Sequence, residues 1–297
     1  MRNCSVTCNI RKAAAALAAA AFCVLFSLPV FAAGTGDSAW DVIAKAQGES
    51  GIRPQEAGAW YSSLEKTLKE KNGVLSENRY TEYSKIALAA LAIGKDPENV
   101  GGYDLISRLY DCDKVVRQGI NGPVWALIAL DAAGKKQEVT AEYLRYLLER
   151  ELPGGGWNMT ESGAPDPDVT AMVLQAFSNH RSAPGISASI NRGIRVLSSL
   201  QKENGCFSGY GSENAESTAQ VIIALCELGW SSESPMFVKN GISVKTALAS
   251  YRLAGGEYLH KKGDRTADAM ATQQGRLAEA ALWRYENHRG SIYDMGK

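Results

Sequence analysis

The feature that most constrains this chain is a glycine–aromatic frame that recurs at nearly constant spacing. Gln201, Gly205 and Phe207 make one copy, Glu151, Gly155 and Trp157 a second, and Arg252, Gly256 and Tyr258 a third. Lys69, Gly73 and Leu75 form a fainter copy. The glycines of the three clear copies lie 50 and 51 residues apart, and the 82 residues between Gly73 and Gly155 leave room for one degenerate unit. A second aligned stretch follows a capping or turn residue in each unit, at residues 84–88, 123–127, 170–174, 218–222 and 272–276. Five units of roughly 40–54 residues fall within the range of two-helix repeats.

Each unit pairs helices of different character. Residues 55–71 carry Trp60, Leu64 and Leu68 at i, i+4 and i+8, a single apolar stripe, and Asn72-Gly73 ends that helix. Its partner over 81–93 is apolar on nearly every side and rich in alanine, so it must be buried on most sides. The alternation returns in each unit. The second is the weakest, although Asn121-Gly122-Pro123 starts its apolar helix well. The third places an amphipathic helix over 140–151 and an apolar one after Asp166; the fourth begins its apolar helix at Thr218, capped by Glu216 and Ser217; the last spans 244–253 and 267–284. A short helix over 39–47 leads in. Stacked pairs of this kind predict an all-α fold, a double ring with apolar helices inside and amphipathic helices outside.

Residues 1–32 read as an export signal: Arg2, Arg11 and Lys12 precede an apolar run, and Val30-Phe31-Ala32 offers a small-residue cleavage site. The apolar run is long enough that an uncleaved anchor is the competing reading. Removing it lowers the 32 basic residues to 29 against 32 acidic ones, a net charge of −3 over 33–297. That balance argues against nucleic acid as a partner. No linker interrupts the repeat, so 33–297 reads as one domain. Cys112, Cys206 and Cys226 remain; Cys206 and Cys226 flank one connection, and three unpaired thiols are favoured over a bridge.

QKENGCF and ELPGGGW resemble the QW-type repeats of squalene–hopene cyclases, found also in protein prenyltransferase β subunits, over about residues 39–295. Phe207 and Tyr258 replace the family's Trp, and Glu151 and Arg252 its Gln. The ending LWRYENHRGSIYDM resembles the close of the same toroid in secreted transcobalamin-like Firmicute proteins. The resemblance implies an α/α toroid of five to six hairpins with a central cavity.

The sharpest chemical candidate is DPDVTA, Asp166 to Ala171. It resembles the acid motif with which class II terpene cyclases protonate an alkene. The resemblance puts the proton donor on Asp168 and its neighbour on Asp166, while Val169 stands where the family has a third Asp. An acid of that kind needs a dry pocket and neighbouring carboxylates. Against this stands a structural reading: Asp168 immediately before Val169 is a good helix N-cap, paralleled by Glu216 in the next unit. Trp125 and Tyr83 on apolar helices, with Met172, Glu216 and Gln220, are the candidate liners of a central mouth. Trp157 and Phe207 read as packing residues. His180, His260 and His288 are scattered and no Cys stands at zinc-ligand spacing, so no metal or other cofactor is expected. The expected function is an exported toroid holding an apolar or amphipathic small molecule, isoprenoid-like or cobalamin-like. A terpene-cyclase-like enzyme acting through Asp168 and a cell-surface scaffold are the alternatives.

Overall fold

The computed structural model describes residues 37–135, 138–160, 162–209 and 211–295. The expected export signal, residues 1–32, lies outside them. Eleven α-helices form among the described residues: α1 (Ala39–Gln47), α2 (Pro54–Glu70), α3 (Thr81–Ala92), α4 (Cys112–Val115), α5 (Asn121–Ala132), α6 (Glu138–Leu148), α7 (Pro167–Phe177), α8 (Ile186–Leu200), α9 (Ala215–Glu227), α10 (Val244–Ala249) and α11 (Ala269–Glu286). Two minimal antiparallel hairpins join them, β1 (Ser208–Gly209) with β2 (Ser212–Glu213), and β3 (Val238–Lys239) with β4 (Ile242–Ser243). The periodicity gives no sign of these hairpins, since two-residue strands have no room to alternate. The amphipathic helix expected over 244–253 stops at Ala249, where the chain turns through Ser250 and Tyr251.

The two helix types separate as their sequences require. α7 is buried at all eleven positions and α9 from Ala215 to Leu225, whereas α2 buries only Trp60, Leu64 and Leu68. The buried helices contact one another in order: α1 meets α3, α3 meets α5, α5 meets α7, α7 meets α9, α9 meets α11, and α11 meets α1 again. α6, α8 and α10 pack on α5, α7 and α9 respectively. The order of contacts therefore returns to its starting element.

The repeated frame is a repeated hydrogen-bond set. In the three clear copies the glycine N–H donates back three residues: Gly155 to Leu152, Gly205 to Lys202 and Gly256 to Leu253, each at 2.8–2.9 Å. The glycines sit at φ +92°, +78° and +89°, a region that side chains with a Cβ rarely adopt. The aromatic N–H then donates to a threonine hydroxyl on the following core helix: Trp157 to Thr170 at 3.0 Å, Phe207 to Thr218 at 3.3 Å and Tyr258 to Thr272 at 3.0 Å. Its side chain fills the space behind the turn; Trp157, Phe207 and Tyr258 are at most 1% exposed.

Between the core helices runs a polar strand of side chains. Tyr293 Oη donates to Gln175 Oε1 at 2.7 Å, Gln175 Nε2 to Gln220 Oε1 at 2.8 Å, and Gln220 Nε2 to Gln274 Oε1 at 3.1 Å. Beside it the Trp125 ring packs against that of Trp40 at 4.8 Å, tilted by 57°, and meets the Tyr293 ring edge-on at 6.4 Å. Cys206 and Cys226 are free thiols and do not pair.

Candidate functional site

The sequence places acids near the starts of the core helices, and the structure corrects what they do there. α7 is capped by Asp166, whose Oδ1 accepts from Asp168 N at 2.9 Å and Val169 N at 3.0 Å. Asp168 is therefore not the cap but the second residue of the helix, after Pro167. In α9 the cap is Asn214, whose Oδ1 accepts from Ser217 N at 2.7 Å, so Glu216 and Ser217 do not cap either. Asp268 caps α11 in the same way, accepting from Ala271 N at 2.8 Å. The signal for these caps is present in the sequence. Asp166, Asn214 and Asp268 each stand four residues before the threonine that binds the frame aromatic.

Once the caps are assigned, Glu82, Asp168 and Glu216 occupy one shared position, the second residue of α3, α7 and α9. All three are buried, at 2%, 1% and 5% exposure. A carboxylate there gains from the helix N-terminus, but burial takes back more unless a cation compensates. Glu82 pairs with Lys85 at 2.8 Å. Both carboxyl oxygens of Glu216 meet His260 Nδ1, at 2.8 and 3.0 Å, and Ala215 N–H donates to the His260 carbonyl at 3.0 Å. His260 is thus a pinned partner whose side chain remains 40% exposed.

Asp168 has no such partner among the described residues. Its Oδ1 accepts no hydrogen bond, and the neighbouring Ser217 Oγ, equally buried, also has no hydrogen-bond partner. Both lie under β1: a Cβ on Gly209 would stand 2.5 Å from Ser217 Oγ and 2.8 Å from Asp168 Oδ2. Only glycine lets the backbone pass this closely. Burial, and then the charges of Asp166 and Glu216, hold the Asp168 carboxyl well above the ordinary carboxylate range, with the nearby Ser217 hydroxyl pulling the other way. Asp166 is raised by burial against the two backbone N–H groups that it caps. Glu216 is raised by burial too, with its backbone hydrogen bond and His260 opposing.

A cleft of about 300 Å³ opens next to this group, between the 158–167 loop and the β1–β2 hairpin. Asp166 lines it, with Met159, Pro167 and Leu200 as apolar wall and Asn158 and Lys202 as polar rim. The structure therefore brings Asp166, Asp168 and Glu216 together. The other candidates lie elsewhere. Tyr83 accepts from Leu75 N at 3.1 Å and donates to Ser76 O at 3.2 Å, stapling the first unit's turn. Trp125, Met172 and Gln220 are at most 3% exposed, and Trp125 and Gln220 are engaged by the aromatic contacts and the glutamine strand. Among the described residues no group of three or more His, Cys, Asp or Glu could hold a metal ion, and no helix is long and apolar enough to cross a membrane.

No protein-family model matches the chain, and no curated protein matches its sequence.

Proposed function

We propose that the protein is an exported α/α toroid that holds an apolar or amphipathic small molecule at the end of the ring where the core helices begin. The ring itself is supported by the cyclic order of helix contacts and by the split between wholly buried and striped helices. The observation that carries the ligand reading is Asp168: a buried carboxyl left without a cation or a full set of hydrogen bonds among the described residues, one residue pair from an open cleft. Native proteins rarely leave such a group unpaired unless something else satisfies it. A ligand oxygen or amide entering past Asp166 would do so, while Met159, Pro167 and Leu200 would cover its apolar part. Export follows from residues 1–32 as read in the sequence.

A second reading is favoured by the same carboxyl. A group that keeps its proton well above the pH at which an exposed carboxyl loses it is suited to act as a general acid, as in the terpene-cyclase-like alternative. Both are tested together. Protein purified from its own export pathway is extracted and its bound molecules identified by mass spectrometry, then incubated with squalene and with cobalamin. A ligand recovered unchanged, and lost in Asp168→Asn, supports the binder; a product that disappears in Asp168→Asn supports the enzyme. An empty protein that takes up neither compound leaves the scaffold role.

A further inference from the structure

By its neighbours, α9 and α1, α11 belongs to the core, yet it is not buried all round. α7 is buried at all eleven positions, whereas α11 leaves Gln273, Arg276, Glu279 and Trp283 half-buried, three or four residues apart along one side. After α5, α7 and α9 the chain returns as α6, α8 and α10 and packs on the helix it has just left. After α11 it forms no further helix among the described residues; Ser291 and Ile292 bind Glu227 at the end of α9 instead. Arg276, Glu279 and Trp283 therefore line an open cleft of about 420 Å³, bounded on its other side by the end of α1 and residues 48–51. No residue lines both this cleft and the one beside Asp166.

We propose that this cleft is a second binding site, and that it takes a small molecule carrying an aromatic ring and one carboxylate or phosphate group. Arg276 receives the anion, and Ala280 and Trp283 cover the ring. This stands apart from the ligand reading at the acidic end of the ring of helices and does not rest on it.

The cations of the cleft are not equally free. Lys45 Nζ lies 2.6 Å from Asp37, and Arg252 Nε lies 2.7 Å from Glu279, whose Oε1 also accepts from Tyr258 Oη at 2.8 Å. Arg276 differs. Its one ion-pair contact among the described residues, Asp41 Oδ1, stands at 3.6 Å, too far for a hydrogen bond. Asp41 is held back by its own helix, because its Oδ2 accepts from Ser38 N–H at 3.0 Å and from Ser38 Oγ at 2.7 Å. The Arg276 side chain is 38% exposed, so its planar fork of N–H donors is open to a ligand. A carboxylate or phosphate matches that fork with two parallel hydrogen bonds. Lys45 and Arg252 add attraction in the same wall, and Arg289 lies over the Trp283 ring at 5.8 Å. Of the two acids in the wall, Glu279 is engaged by Arg252 and Tyr258, and Glu49 is exposed, where water screens it. The volume lies in the range of small-molecule sites.

The test titrates the full chain with benzoate and with phenyl phosphate, and with benzyl alcohol as the neutral control. The side-chain N–H resonances of Arg276 and Trp283 are followed. Saturable shifts at both residues are expected with at least one anion, at a Kd of about 1 mM or below, and binding of benzyl alcohol about tenfold weaker or less. Response to one anion alone supports the site and tells carboxylate from phosphate. Arg276→Gln should weaken binding by about tenfold or more, and Arg276→Lys, which keeps the charge without the fork, by less. Urea unfolding checks that each variant folds; for one that does not, the shifts in the native chain decide. No saturation by about 10 mM, shifts that avoid Arg276 and Trp283, or equal binding of benzyl alcohol overturns the proposal. So does undiminished affinity in folded Arg276→Gln.

Discussion

Glu82, Asp168 and Glu216 show how one position of a repeat acquires three characters from its surroundings. Lys85 or His260 meets the carboxyl in two units, and in the third a glycine backbone and a serine lie close to it. Asp168 binds its proton more tightly folded than unfolded, so stability falls as pH rises from the unfolded value of about 3.9 towards the folded one. Within that window each pH unit removes up to about 1.4 kcal/mol. Asp168→Asn should flatten that part of the profile and raise stability at alkaline pH, as read by urea unfolding across pH. The turn glycines make a second prediction at this scale. Gly155→Ala would put a Cβ 2.8 Å from Arg192 Cβ at φ +92°, and should cost about 1 kcal/mol or more in chemical denaturation.

Among elements, the core helices are joined by apolar packing and by one polar thread. Gln220 both accepts from Gln175 and donates to Gln274, so it couples α9 to α7 and α11. Gln220→Leu leaves the Gln274 carbonyl oxygen without that donor, and should cost about 1–3 kcal/mol in a buried setting. In a double-mutant cycle with Gln175→Leu the two losses should sum to more than the double mutant loses, because both break the same bond. The flanking helices are held differently. Glu151, where the resembled family has Gln, binds Ser189 Oγ and Arg192 at 2.6 Å and ties the turn to α8. Gln201 at the equivalent position donates to Gly205 O and Phe237 O instead. The frame position tolerates different residues because each finds its own partner on the next element.

At the scale of the molecule, α1 is small but lies between α3 and α11, the first and last of the long core helices. Trp40 on α1 is 3% exposed and packs its ring against Trp125 of α5. Trp40→Ala should cost about 3–5 kcal/mol, the range for emptying an aromatic site in a packed core. In an open array that loss would fray only the first unit. Where the contacts return to their start, hydrogen exchange should quicken in α11 as well as α3, and thermal unfolding should remain one transition.

The repeat and the two kinds of helix were legible in the chain, because they follow from local pattern; the helix starts were not, since the helices begin at Pro167, Ala215 and Ala269, three residues before the threonines. A glycine that needs positive φ, and a helix apolar on every side, carry their structural meaning wherever they occur. Even the true caps were written there, as Asp or Asn four residues before the threonine. What the chain alone left undecided was pairing across long separations: Glu216 with His260, Glu227 with Ser291, and Asp168 with no such partner among the described residues. Those outcomes depend on which side chains the packed helices bring within about 3 Å of one another, and electrostatics at that range is set by tertiary neighbours and burial. Local sequence built the elements; proximity alone assigned the charges.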